Sequence, residues 1–204
     1  TGKFIYSNLA SGQNVGGEDI SAGTAFAADI GLLYRVPSNG DNQMSIGLAL
    51  TNIGSKIAYT NTTAKDFLPA NFGLGFAYEL NPNESNRLTL ALDINKLMVP
   101  TPDPDDPDRR LKSPIAGMFS SFGDAPGGFS EELQELSYSI GAEYWYDEQF
   151  AIRAGYYSEH ELKGNRKYFT AGLGIKYNVF GLNFSYLVPT SNQRNPLDNT
   201  LRFT

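Results

Sequence analysis

The sequence predicts an all-β protein, a transmembrane antiparallel β-barrel, from three observations. Residues 136–189 contain four runs in which apolar and polar side chains alternate, and successive side chains of a strand point to opposite faces of a sheet. Each run has roughly the 9–11 residues that a tilted strand needs to cross a bilayer. The connections between predicted strands alternate between short and long, as in bacterial outer-membrane barrels.

A soluble sheet would also alternate, so the composition of the two faces matters. Within 136–189 the polar face carries Gly, Ser, Asn and single charges, which suits a wet or plugged lumen. The apolar face ends in aromatic residues at both ends of the strands, as the interface girdles of membrane barrels do. We therefore favour the membrane barrel over a soluble one.

The same alternation predicts five strands before this region, at 4–7, 24–36, 43–53, 70–80 and 86–97. Long connections are predicted at 8–22, 54–69, 98–135, 158–167 and 190–199, and short ones at 37–42, 81–85, 147–148 and 179–180. Because bacterial barrels have short periplasmic turns and long extracellular loops, we expect one barrel domain over 1–204. Its long loop 98–135 is expected on the outer side of the cell outer membrane.

Composition excludes several classes of protein. The mean hydropathy of −0.32 and the lack of a long apolar run exclude transmembrane helices. The net charge of −6 makes nucleic acid an unsuitable partner. The chain has no cysteine, so disulfide and thiolate chemistry are excluded. We expect no cofactor, no metal ion and no catalytic residue.

Eight charged side chains lie on the predicted lumen face, four of each sign. A selective pore tends to show one dominant sign at its constriction, whereas balanced charges favour cross-strand pairs inside a filled barrel. The predicted lumen charges are Asp29, Arg35, Glu79, Arg87, Asp93, Glu143, Arg153 and Lys176.

The long loop 98–135 contains two unlike segments. Residues 100–108 hold four prolines and four aspartates, which predicts an extended, solvated tether; EF-hand spacing for calcium is missing. Residues 113–129 are apolar although the loop is predicted outside the membrane. They either fold down to plug the barrel or dock a partner, since aromatic residues and Met are enriched at interfaces. The candidate partner-binding residues are Ile115, Met118, Phe119, Phe122 and Phe129.

The single histidine, His160, lies two residues after Ser158. Lipases and deacylases of the outer membrane use Ser/His pairs, but this spacing in a charged loop comes without an identified oxyanion hole. We interpret 158–161 as a solvated loop.

Both ends of the chain contain incomplete elements. Residues 1–10 begin as a strand that enters a loop, and 200–204 begin a further alternating run. We expect the chain to be part of a longer barrel, without its first strands and signal peptide.

Three segments resemble the PorV family of outer-membrane barrels, relatives of the FadL-type fatty-acid transporters. They are YFTAGLGIKYNVFGLNFSYLVPT (168–190), NPLDNTLRFT (195–204) and SPIAGMFSSFGDAPGGF (113–129), and IGAEYWYDEQFAIRAGYYSE (140–159) adds to them. The resemblance extends through the chain and is most specific from residue 113 onward. It implies a FadL-like barrel of 14 strands when complete, of which this chain covers the later ones.

The resemblance also implies a function in type IX secretion. Such proteins bind the C-terminal signal domains of exported cargo at a large translocon barrel and carry them to the attachment complex that contains the PorU sortase. Membrane lipids are the other implied partner. A FadL-like transporter of hydrophobic ligands is the alternative, and lipid-A deacylation, also linked to the family, is a weaker one.

Overall fold

The computed structural model describes residues 1–8, 12–15, 17–38, 40–60, 65–190 and 200–204. Parts of the predicted connections 8–22, 37–42 and 54–69, and residues 191–199 of the last one, lie outside the described residues. So do residues 195–199 of the segment 195–204. Within the described residues no helix has both the length and the apolar character needed to cross a membrane.

The described residues form an all-β fold whose strands follow the alternating runs. β1 is Gly2–Ser7, β4 is Gly23–Val36, β5 is Gln43–Gly54, β6 is Asn71–Asn83 and β7 is Asn86–Leu97. β8 is Leu136–Tyr146, β9 is Phe150–Ser158, β10 is Lys167–Tyr177, β11 is Phe180–Pro189 and β12 is Leu201–Phe203. The predicted bounds of β7 and β8 agree with the observed ones, and the others differ by a few residues.

Ten of the described strands form one antiparallel sheet in the order β1-β4-β5-β6-β7-β8-β9-β10-β11-β12. Neighbours in the sheet are thus neighbours in the chain, apart from the short hairpin between β1 and β4. Within the described residues β1 and β12 are the two edges of this sheet. An antiparallel meander of long strands is the arrangement that up-and-down barrels use.

The register of β8 to β12 separates apolar from polar rows. Tyr144, Ile152, Leu173, Phe184 and Phe203 oppose one another across these five strands. The next row consists of Glu143, Arg153, Gly172, Ser185 and Arg202. Ile152 and Leu173 are 60% and 55% exposed, so the large apolar side chains form an open face. An open apolar face is what a lipid-facing surface requires.

Three local features differ from the sequence prediction. The segment 8–22, predicted as a loop, contains a hairpin of β2 (Asn14–Val15) and β3 (Glu18–Asp19). The predicted turn at 81–85 is shorter, because β6 continues to Asn83 and only two residues separate it from β7. The loop 98–135 contains a 3₁₀ helix at Pro107–Leu111 and two α-helices, α1 (Pro114–Ser120) and α2 (Phe129–Gln134).

The described chain divides into two compact units. The first, residues 1–31, 49–72 and 96–133, contains two apolar clusters, one around Ala25 and Leu68 and one around Ala70, Met98 and Met118. The second, residues 32–48, 73–95 and 134–204, contains the meander of β8 to β11. The candidate sites below each lie within one unit.

Candidate docking surface and polar face

Helix α1 begins with a strong N-terminal cap. Ser113 Oγ accepts a hydrogen bond from the Ala116 amide at 3.3 Å, and Pro114 occupies the first turn. Serine at the cap and proline directly after it are both preferred at a helix start. The cap fixes which residues of α1 face inward. Gly117 and Met118 are buried, whereas Ile115 and Phe119, one turn apart, are exposed.

The inward side of α1 packs tightly within the first unit. A Cβ atom on Gly117 would lie 2.5 Å from the Phe67 ring, so only glycine fits there. Met118 is 6% exposed and belongs to the cluster of Ala70 and Met98. Phe122 meets the Phe72 ring edge-on, with the ring centroids 5.9 Å apart. Met118 and Phe122 therefore act as anchors of the connection.

A buried ion pair holds α2. Lys96 Nζ lies 2.9 Å from Glu132 Oε2, with the two side chains only 4% and 10% exposed. The other oxygen of Glu132 accepts from the Ala125 amide at 2.9 Å. Burying two charges is unfavourable unless each is paired and hydrogen-bonded, and here both are. The pair fixes α2 to the end of β7.

Most residues of 100–108 are exposed, in agreement with a solvated segment, but the segment is not a free extended tether. Arg109 Nη2 lies 2.7 Å from Asp103 Oδ2, and Arg109 Nε lies 3.2 Å from Asp106 Oδ2. The same guanidinium donates to the carbonyl oxygens of Thr101 and Asp124, at 3.1 and 2.5 Å. Arg109 thus binds acceptors within the acidic segment and the Asp124 carbonyl oxygen. It holds the acidic segment against a later part of the same connection.

The five predicted partner-binding residues separate into two groups. Met118 is buried and Phe122 contacts the Phe72 ring while remaining 47% exposed, whereas Ile115, Phe119 and Phe129 are 63%, 77% and 78% exposed. Leu111, which sequence reasoning missed, is exposed as well. We refer to Leu111, Ile115, Phe119 and Phe129 as the docking surface. The spacing of residues 115, 118, 119 and 122 indicates a helix, but it places all four on one face and so does not separate the two groups.

The predicted lumen charges belong to the polar faces of their strands, and their environments differ. Arg153 Nε lies 2.5 Å from Glu143 Oε2, Asp29 pairs with Lys3 at 2.7 Å, and Arg87 lies 3.5 Å from Glu148. Glu79 accepts from the Asn81 side chain at 3.1 Å. For the remaining three, the described residues give no ion pair or side-chain hydrogen bond; they are Arg35, Asp93 and Lys176.

Arg153 is the centre of the polar face on β8 to β11. Besides Glu143 it donates to Asn183 Oδ1 on β11 at 2.9 Å. A Cβ atom on Gly174 would lie 2.9 Å from Arg153 Nη1. The guanidinium also lies 5.4 Å from the centroid of the Trp145 ring, which has Arg87 at 5.9 Å as well. Sequence reasoning identified Arg153 but missed Trp145 beside it. It also missed Lys3 as the partner of Asp29.

Glu159 holds the connection after β9. Arg166 Nε donates to Glu159 Oε2 at 2.8 Å, and Tyr157 Oη donates to Oε1 at 2.5 Å. Burial alone would raise the pKa of Glu159, but these hydrogen bonds outweigh it, so the pKa lies below its ordinary value. His160 Nδ1 accepts from the Leu162 amide at 3.3 Å and caps a 3₁₀ helix.

Metal ligation has no candidate in the part of the chain that the structure describes, where no group of three or more His, Cys, Asp or Glu side chains converges. His160 is occupied as a helix cap. The chemistry available at the two sites is therefore apolar contact at the docking surface and ion pairing on the polar face.

Comparison with known proteins identifies the family. A family model described as type IX secretion system protein PorV matches residues 1–104. The chain belongs to the PorV family. The match covers β1 to β7, whereas the resemblance of the sequence segments quoted above is most specific from residue 113 onward. A search of curated proteins found no match.

Membership in the PorV family makes the chain a component of the type IX secretion system. Its large antiparallel sheet fits an outer-membrane β-barrel. The exposed apolar face of β8 to β11 is consistent with that location.

Proposed function

We propose that this PorV-family chain binds the C-terminal signal domains of secreted cargo at the translocon barrel and carries them to the PorU-containing attachment complex. The proposal extends family membership from a secretion system to a role within it. The observation that supports it best is the docking surface, because Phe119 and Phe129 are more than three-quarters exposed on a folded connection.

The docking surface stays exposed although its neighbours are buried. Full burial of a large apolar side chain contributes about 1.5–3 kcal/mol. The connection has folded far enough to bury Met118 and the Lys96–Glu132 pair, yet it leaves Ile115, Phe119 and Phe129 in the open. This favours docking over plugging for these three residues. Aromatic residues on a rigid support are typical binding hot spots.

We infer that the docking surface lies on the extracellular side, where the long connections of bacterial barrels are found. We also infer a role without catalysis, because the Ser158 region lacks a recognisable oxyanion hole and His160 serves as a cap. The transporter of hydrophobic ligands is second, since the charges on the polar face do not favour a lumen for apolar ligands.

The experiment that tests the docking proposal is alanine replacement of Ile115, Phe119 and Phe129 together. The side chains are exposed, so the barrel should remain folded and membrane-inserted. Co-purification of the translocon barrel in mild detergent is expected to fall at least tenfold, and cargo secretion is expected to fall with it. Binding hot spots of this kind contribute about 2 kcal/mol or more each.

Leu162 provides the matched control. It is 75% exposed on the connection after β9, so Leu162→Ala removes a comparable apolar side chain from another surface. This variant should keep both partner binding and secretion. Undiminished co-purification in the triple variant would refute the docking proposal, and an equal loss in Leu162→Ala would show that exposure alone explains the effect.

A further inference from the structure

A cavity on the polar face of the second unit has no role in the function proposed above. Its volume is about 370 Å³, and strands β7 to β10 line it. Its lining includes Asp93, Gly141, Glu143, Gly155, Tyr157 and Tyr168. Gly141 and Gly155 face each other directly in the register of β8 and β9. Two opposed positions without side chains create the depression.

Internal crowding explains Gly155 but not Gly141. A Cβ atom on Gly155 would lie 2.8 Å from Thr170 Oγ1, closer than ordinary packing allows. A Cβ atom on Gly141 would meet only the Ala154 carbonyl oxygen, at an ordinary 3.7 Å. Glycine weakens a strand interior, and it often marks a bulge, a tight bend, or the close approach of a ligand or of another backbone. Gly141 lies in the interior of β8.

The charges that line the cavity leave one carboxylate unneutralised. Glu143 is paired with Arg153 at 2.5 Å, and Arg153 also donates to Asn183. Asp93 has no ion pair or side-chain hydrogen bond within the described residues. Asp93 is an exposed residue. Its Oδ1 lies 2.6 Å from where a Cβ atom on Gly75 would be, so the carboxylate lies beside bare backbone at the open edge of the cavity.

The other residues that line the cavity suit a ligand that has hydrogen-bond donors and an apolar stem. Hydroxyl groups of Thr89, Ser139 and Thr170 line the cavity and can accept hydrogen bonds. Tyr157 and Tyr168 stack with their ring centroids 4.8 Å apart and 17° between their planes, which gives a flat aromatic wall. Tyrosine rings attract organic cations as well as methylene groups.

We propose that this cavity binds the cationic end of a lysine-like or arginine-like side chain, with Asp93 as its counter-ion. The group would lie over Gly141 and donate to Asp93 and the neighbouring hydroxyl groups, with its methylene stem against Tyr157 and Tyr168. A carboxylate ligand does not suit the site, because the one lining cation, Arg153, is already paired.

Equilibrium dialysis of the chain in detergent tests this inference. The probes are Nα-acetylarginine amide and Nα-acetyllysine amide, with the uncharged Nα-acetylcitrulline amide as the reference. The wild-type chain should bind at least one cationic probe at least tenfold more tightly than citrulline. The comparison of the two cationic probes tells whether the site prefers guanidinium or ammonium.

Three variants locate the site. Asp93→Asn removes the counter-ion, and Gly141→Val places a side chain in the depression; each should weaken binding at least tenfold. Gly47→Val is the matched control, because a Cβ atom there would also meet its neighbours only at 4.0 Å and Gly47 does not line the cavity. It should bind as the wild type does. The two site variants alter different strands, so either one suffices if the other fails to fold.

Two results would overturn the inference. One is wild-type binding of both cationic probes no tighter than that of citrulline. The other is tight binding that persists in folded Asp93→Asn or Gly141→Val. Because these measurements use no secretion partner, their failure leaves the docking proposal untouched.

Discussion

The meander of β8 to β11 and the connection 98–135 both expose large apolar side chains, but they do so in different ways. In the meander the exposed residues follow strict alternation and form rows across neighbouring strands, such as Tyr144, Ile152, Leu173 and Phe184. In the connection the exposed residues are few, and the same folded unit buries Met118 and the Lys96–Glu132 ion pair.

The comparison shows that exposure of an apolar side chain has no fixed meaning. A continuous apolar face on a sheet suits a lipid environment, in which every residue of the face is equivalent in kind. Isolated aromatic residues on a separately folded support suit a specific partner, in which a few positions dominate. Substitutions in the two regions should therefore have different consequences.

The largest expected effect is in the support of the connection. Lys96→Ala leaves Glu132 buried without its counter-ion, and breaking such a pair costs about 3–5 kcal/mol. Hydrogen exchange of 98–135 should accelerate accordingly, whereas exchange of β8 to β11 should change little.

The double variant Lys96→Met with Glu132→Leu is the control for that prediction. It removes both charges and keeps the volume, so most of the lost protection should return. If Lys96→Ala leaves exchange of the connection unchanged, the ion pair does not support the docking surface.

The second-largest effect on stability is expected in the meander of β8 to β11. Leu173→Arg places a charge in the middle of the apolar face, and a charge at that depth in a membrane costs about 2–4 kcal/mol, against about 0–1 kcal/mol near the interface. Tyr177→Arg at the end of the same strand is the matched variant. Urea unfolding in lipid vesicles measures both, and equal destabilisation by the two variants would contradict a lipid-facing Leu173.

The smallest expected effect is dependent on pH and concerns the connection after β9. The pKa of Glu159 is lowered in the folded chain, so its contribution to stability is complete above the ordinary glutamate pKa of about 4.3. That contribution is lost as the pH falls through the lower, folded value. Hydrogen exchange of 159–167, corrected for its intrinsic rate, should therefore accelerate in acid.

Glu159→Gln tests the assignment of that pH dependence. The variant should show weaker protection at neutral pH and little further change in acid. If the variant opens in acid as much as the wild type does, another group is responsible.

Alternation predicted the strands well because it records the two faces of a sheet directly. The β2–β3 hairpin was missed because each strand has two residues, too few for a period to appear. The helix α1 was missed although Ser113, Pro114 and the spacing of Ile115, Met118, Phe119 and Phe122 indicate one. The segment lies between two predicted strands, so it is predicted to be a loop rather than a helix.

The candidate site was less predictable for a physical reason. Composition identified 100–108 as acidic and rich in proline. This indicates only that such a segment is solvated on average. It could not reveal that Arg109 pairs with Asp103 and Asp106. Likewise, apolar character selected Met118 and Phe119 alike, although one is buried and the other exposed. Which of two neighbouring residues faces inward depends on the phase of a helix that was not foreseen.

Site-specific photo-crosslinking in living cells tests the central claim most directly. A benzophenone amino acid is placed at position 119 or, as the matched exposed control, at position 162. The docking surface predicts a crosslink to the translocon barrel from position 119 and none from position 162. A crosslink from 162 alone, equal crosslinks from both positions, or none from 119 would contradict the claim that this surface meets the secretion machinery.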